Sequence, residues 1–183
     1  MKDVTSVFDL DTAANRALAV VNTLRWESGP ASAAALAAEV FQEYGEADPT
    51  VTESDGAALL AAADALREVF AAGDDPDTAA RLLNALLARY AGPPRLTAHG
   101  GAPWHLHVDS DDDAPWAEWL LASGALALAA LLAAAGGDRP AFGVCGAADC
   151  RMCYLDSGRG GGRRYCSSRC ATRTRVAAFR GRS

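Results

Sequence analysis

The residues best suited to chemistry are five cysteines, Cys145, Cys150, Cys153, Cys166 and Cys170, crowded toward the C-terminal end of a 183-residue chain, with none before them. Four residues separate Cys145 from Cys150, fifteen separate Cys150 from Cys166, and three separate Cys166 from Cys170. Two short-spaced pairs joined by a linker of this length have the general form of a structural four-cysteine zinc site. A short turn would hold the first pair. A helix carrying Cys166 and Cys170 in its first turn would supply the second, because positions i and i+4 share a face and both sulfurs can then reach one tetrahedral ion. Cys150 and Cys153 also form a CxxC, so Cys150, Cys153, Cys166 and Cys170 are a competing ligand set, and spacing leaves the choice open. Disulfides and a buried thiol cluster are the other readings. The start MKDVTSVFDL has no basic stretch followed by an apolar one, so a reducing, cytoplasmic setting is expected, where clustered cysteines bind metal before they oxidise.

These cysteines need positioning elements. Residues 152–155 read as a strand, 157–162 as a Gly-containing turn, and 163–165 can form a return strand. Ser167 and Ser168 suit the start of the following helix. Knuckle, hairpin and helix in that order make a treble-clef-like finger.

Charge divides the chain at the same place. The formal net charge of −6 hides 8 Lys and Arg against 21 Asp and Glu in residues 1–140, and 9 Arg against Asp149 and Asp156 in residues 141–183. Four thiolates around a zinc dication would lower the tail's net +7 to about +5, still basic. Arg169, Arg173 and Arg180 follow one another at helical spacings of four and seven, with Arg175 and Arg182 beside them, and Val176, Ala177 and Phe179 are expected to pack on the finger. A short basic helix of this kind suits phosphate contacts or entry into a DNA groove. Pairing with the acidic part or with another subunit would use the same charges.

The acidic part, rich in alanine (42 in the chain), reads as helices over 13–25, 32–44, from a Thr52/Asp55 capping start to Gly73, 78–90 and 115–135. Residues 96–98 and 104–108 read as a β-hairpin around His99-Gly100-Gly101, with Trp104, Leu106 and Val108 on one face and His105 and His107 on a solvated other. The two histidines lack an evident third metal ligand. Asp111, Asp112 and Asp113 read as a charged loop before a helix. The uncharged stretch 119–135 reads as a buried central helix rather than a membrane span, being Ala-rich and interrupted by Ser123 and Gly124. The fold class expected is thus mainly α: a helical N-terminal domain (1–140) with a small hairpin, then the finger (141–183). A closed four-thiolate site has no open coordination position, and with no nucleophile elbow or phosphate loop opening a helix, an enzyme is not expected.

The segment resembles the CGNR zinc finger of bacteria. Tyr154-Leu155-Asp156, Arg163-Arg164-Tyr165-Cys166 and Cys170-Ala171-Thr172-Arg173 stand in the places of that pattern, with Ala171 and Thr172 where the name-giving tetrapeptide has Gly and Asn. Upstream, Val20-Val21-Asn22-Thr23-Leu24 is similar to the VNTL segment of the ABATE domain, the usual N-terminal partner of this finger. The resemblance implies Zn2+ as cofactor, Cys145, Cys150, Cys166 and Cys170 as ligands, and Cys153 at an ordinarily apolar position. It implies a DNA-binding transcription regulator, with Arg163, Arg164, Arg169, Arg173, Arg175 and Arg180 as candidate nucleic-acid contacts and the helical domain as effector or dimerisation module. A zinc-stabilised protein-interaction module is the alternative. Cys153, as a spare thiol, would be either a substitute ligand or a redox-sensitive group.

Overall fold

The computed structural model describes residues 10–24, 29–98, 104–136, 141–156 and 162–180. Four helices come first, α1 (Leu10–Leu24), α2 (Pro30–Glu43), α3 (Glu53–Ala71) and α4 (Pro76–Tyr90), followed by the hairpin strands β1 (Arg95–Thr97) and β2 (His105–His107) and the helix α5 (Trp116–Ala135). A second strand pair, β3 (Phe142–Val144) and β4 (Cys153–Leu155), and the helix α6 (Ser168–Arg180) complete the chain. The architecture is mainly α with two small two-stranded sheets, as expected.

Local chemistry explains the helix limits. Thr52 and Asp55 form a reciprocal capping box: the Asp55 N–H donates to Thr52 Oγ1 (3.2 Å), and the Thr52 N–H to Asp55 Oδ2 (2.9 Å). α4 begins two residues earlier than expected because Asp75 caps it, accepting the Thr78 N–H at 3.1 Å, with Pro76 in the first turn. Gly29 and Pro30 open α2 two residues earlier than expected, since proline's missing N–H is no loss there. Gly136 closes α5 in the left-handed conformation (φ 66°).

α5 is the central element, packed on α1, α3 and α4. By length and composition it could cross a bilayer, but Leu120–Ala125, Ala127 and Leu128 are buried against the other helices. Alanine and glycine let the helices approach closely. A Cβ on Gly124 would lie 3.2 Å from Ala17 Cβ, and one on Gly56 would lie 2.0 Å from the Pro30 carbonyl oxygen. Between them sit Leu24, Phe41, Leu59, Leu66, Phe70, Leu83, Leu120 and Leu128, all essentially inaccessible.

The hairpin pairs Leu96 with Leu106, but its faces differ from expectation. The turn 99–101 lies outside the described residues. Val108 is buried, yet Trp104 and Leu96 are 68% and 65% exposed, and His107 is not on a solvated face. The reason is an ion cluster. Arg95 pairs with Asp109 (2.8 Å) and Asp112 (2.9 Å), Thr97 donates to Asp112 (2.6 Å), and His107 Nδ1 lies 3.1 Å from Asp109. Burial lowers the His107 pKa, and Asp109 offsets this only in part.

β3 and β4 are antiparallel, in the register Phe142↔Leu155, Gly143↔Tyr154 and Val144↔Cys153. The expected partner of β4, residues 163–165, is not a strand; β4 pairs instead with the segment preceding the first cysteine. Phe142 and Cys153 join the main helical core, with Phe142 edge-on to Phe70 at 5.6 Å. Against β3 the fit is tight, since a Cβ on Gly73 would lie 2.0 Å from the Phe142 carbonyl oxygen.

Phe142→Ala should therefore cost about 3–5 kcal/mol of stability in urea unfolding, as for a phenylalanine deep in a core. Thr52→Ala, which removes only a cap, should cost about 1 kcal/mol.

Candidate metal centre

Cys145 follows β3 directly and starts the knuckle. Its N–H donates to the Met152 carbonyl (2.8 Å) and the next N–H, from Gly146, to Arg164 (2.9 Å), while the Cys150 N–H closes a turn onto Ala147 (3.1 Å). Asp149 takes the left-handed conformation (φ 61°) that swings Cys150 back toward Cys145. Cys166 stands two residues before α6, not in its first turn, and Cys170 lies in that turn. Ser167 caps the helix, its hydroxyl accepting the Cys170 N–H at 3.3 Å.

The structure brings Cys145, Cys150, Cys166 and Cys170 together, their Sγ atoms all within 4.8 Å of one another. The Cys150–Cys166 and Cys166–Cys170 separations are both 3.7 Å. Zinc–sulfur bonds of about 2.3 Å in a tetrahedron give sulfur–sulfur edges of about 3.8 Å, close to these two separations, so this donor set fits zinc. All four positions are filled by protein sulfur, the arrangement of a structural site.

The thiols are electrostatically unequal. Burial works to raise Cys145, but the N–H groups of Cys166 and Ala147 and the neighbouring thiols outweigh it and hold it at about 7. Cys166 is pushed up to about 12 by burial and by its bonds to the Cys170, Cys145 and Cys150 sulfurs. Four adjacent sulfurs cannot all ionise alone; a dication relieves their repulsion and expels the protons.

Cys153 is not among the four. It lies in β4 at 2% exposure within the helical core, and its backbone is clamped by Asn22 of α1, which accepts the Cys153 N–H (2.8 Å) and donates to its carbonyl (3.2 Å). The reading of Cys153 as a substitute ligand is thereby corrected: β-strand alternation turns its side chain toward the core. Above this clamp a cleft of about 600 Å³ separates α1 from the knuckle, lined in part by Asn15, Leu18, Leu131, Met152 and Ser167.

The arginines divide into two groups. Arg163 is a bracket: Nε donates to Tyr165 O (2.9 Å), Nη1 to Leu155 O (3.1 Å) and Nη2 to the Cys166 carbonyl, so its hydrogen-bonding edge is committed to the finger's own backbone rather than held out for phosphate. Arg173 ties α6 to the knuckle through Ala148 O (3.1 Å). Arg164, Arg169, Arg175 and Arg180 are exposed, with Arg175 near Thr172 Oγ1 (3.4 Å). Val176 and Phe179, expected to pack on the finger, are 44% and 69% exposed, because α6 projects from the finger beyond its one buried residue, Cys170, and the Arg173 tether.

Three structural roles escaped sequence reading. Phe142 and Asn22 seat the strand pair on the helices, and Arg163 braces the second cysteine knuckle. The signal available for Asn22 was a polar residue inside an apolar helical stretch, which ordinarily bonds to a partner when buried.

Residues 142–183 match the CGNR zinc finger family. No curated protein is similar enough to this chain to count as a match.

Cys166→Ser and Cys170→Ser should each lower bound zinc to well below one ion per chain in a colorimetric release assay. Cys153→Ser should retain one ion. Chelation should reduce the helical circular dichroism arising from α6 while leaving α1 to α5 folded, since their core does not include the four sulfurs.

Proposed function

We propose that this chain is a DNA-binding transcription regulator in which the zinc-stabilised finger presents α6 to DNA and the helical body, taken as an ABATE-like domain spanning 1–140, serves as effector or dimerisation module. The observation that supports this most directly is the exposure of α6. Beyond Cys170 nearly the whole helix is accessible, it carries Arg169, Arg173, Arg175 and Arg180, and it contains no acidic residue.

The chemistry follows from that arrangement. Zinc, when bound, supplies a rigid crosslink between the knuckle and the start of α6. Ser167 sets the first turn, Arg173 holds the helix against Ala148, and the exposed guanidinium groups of Arg164, Arg169, Arg175 and Arg180 reach outward toward phosphate. The acidic body, by repelling the phosphate backbone, restricts contact to this helix. Catalysis and a membrane role are outside the reading, and a cytoplasmic location agrees with free thiolate ligands.

A second reading rests on Val176 and Phe179. These large apolar side chains lie three residues apart on the exposed part of α6, a spacing that suits docking of the helix into a protein groove. In that case the finger is a zinc-stabilised protein-interaction module.

Fluorescence anisotropy with zinc-loaded, full-length protein and duplex DNA distinguishes the two. DNA binding should weaken steeply with added salt, and Arg169→Ala or Arg175→Ala should each reduce the salt slope by about one. No binding at low salt would sink the DNA reading. Phe179→Ser should leave salt-dependent DNA affinity within about twofold, whereas it should abolish a partner-protein contact made through the apolar stripe.

A further inference from the structure

The side chain least explained by the finger or the helical core is Arg16. It stands on the buried face of α1 among Ala13, Ala14, Ala17, Val20 and Val21, and it is 6% exposed. Its guanidinium lies 3.7 Å from the centre of the Trp119 ring and donates to Ser123 Oγ at 2.9 Å. Among the described residues no carboxylate comes within 4.0 Å of it, and its buried Nε has no hydrogen-bond acceptor.

A buried cation in that state is costly, and an apolar side chain at the same place is often neutral or stabilising. Nearby acids do not remove the cost. Asp109 is engaged by Arg95 and His107, and Glu46, half-buried in the loop after α2, acts on Arg16 only through its field. Burial lowers the Arg16 pKa to about 10, opposed by Glu46, Asp109 and Tyr44, so the group stays charged at neutral pH. Trp119, the ring against the guanidinium, belongs to an aromatic cluster. Phe41 stacks on Trp116 (4.9 Å) and meets Trp119 edge-on (5.3 Å), and Tyr44, Trp116 and Trp119 are only partly buried.

We propose that Arg16 anchors a binding site for a small organic carboxylate where α1, the end of α2 and the start of α5 converge, the carboxylate taking the guanidinium and the aromatic side chains taking the ligand's apolar body. A carboxylate supplies the planar acceptor pair that a guanidinium fork matches, and in a site of low dielectric that pairing is strong. Trp119 and Ser123 hold the guanidinium plane in place before the ligand arrives. The site involves no residue of the finger, so it stands or falls independently of DNA binding.

The probe is sodium benzoate, with benzyl alcohol as its uncharged counterpart, added to the zinc-loaded full chain. Benzoate in roughly tenfold excess over its dissociation constant should raise the melting temperature by about 3–6 °C, and benzyl alcohol should not. Arg16→Met should abolish the shift. Equal shifts with benzoate and benzyl alcohol, an undiminished shift in a folded Arg16→Met, or no shift in the unsubstituted protein would each overturn the proposal. The comparison of the two probes needs no variant, so the test survives if Arg16→Met fails to fold. Absence of a benzoate shift together with a lowered melting temperature in Glu46→Gln would identify Glu46 as an internal counter-ion instead.

Discussion

The convergence of four cysteine sulfurs within 4.8 Å is the constraint on which the C-terminal structure depends. The segment that holds them buries few side chains of its own: among the described residues, the buried ones around the cluster are Cys145, Ala147 and Cys170. A unit this small cannot offset its conformational entropy by apolar burial, and a bound metal ordinarily makes up the difference. Asp149's left-handed turn, the Ser167 cap and the Arg163 bracket each bring one part of the knuckle to the place the tetrahedron requires.

The finger is also not self-sufficient at its base. Phe142 enters the same core as α1, α3 and α5, and Asn22 satisfies both backbone groups of Cys153, so the strand pair that starts the finger is seated on the helices. The change in composition near residue 140 and the limits of the apolar core therefore fall at different places. Zinc governs the outer knuckle and α6, while hydrophobic burial governs β3 and β4. A rigid seat and a metal-held projection together set the direction in which the exposed arginines face.

The helical body was largely legible because its signals are local. Thr52 with Asp55, Pro76 after Asp75, and the glycine after α5 mark helix limits through hydrogen bonds and dihedral preferences that span only a few residues. The hairpin was located to within a residue, yet its faces were misjudged. Three-residue strands offer too little alternation to resist the Arg95 ion cluster, which draws His107 inward and leaves Leu96 exposed. Apolar residues on α6 were misjudged for a related reason: helical spacing shows which residues share a face, not whether anything packs against it.

What the sequence by itself determined is the kind of chemistry available: five thiols in two short-spaced groups, a basic tail on an acidic helical body, and the order of the helices. Those follow from residue type and near-neighbour spacing. Only the tertiary structure decided which four cysteines converge, that β4 pairs with Phe142–Val144, that Arg163 serves the backbone, and that Arg16 is buried with no carboxylate of the described residues beside it. Each of these depends on groups distant in the chain being brought together, and the energies that do so, burial of Phe142 and metal–thiolate bonding, leave no periodic trace in the residues they join.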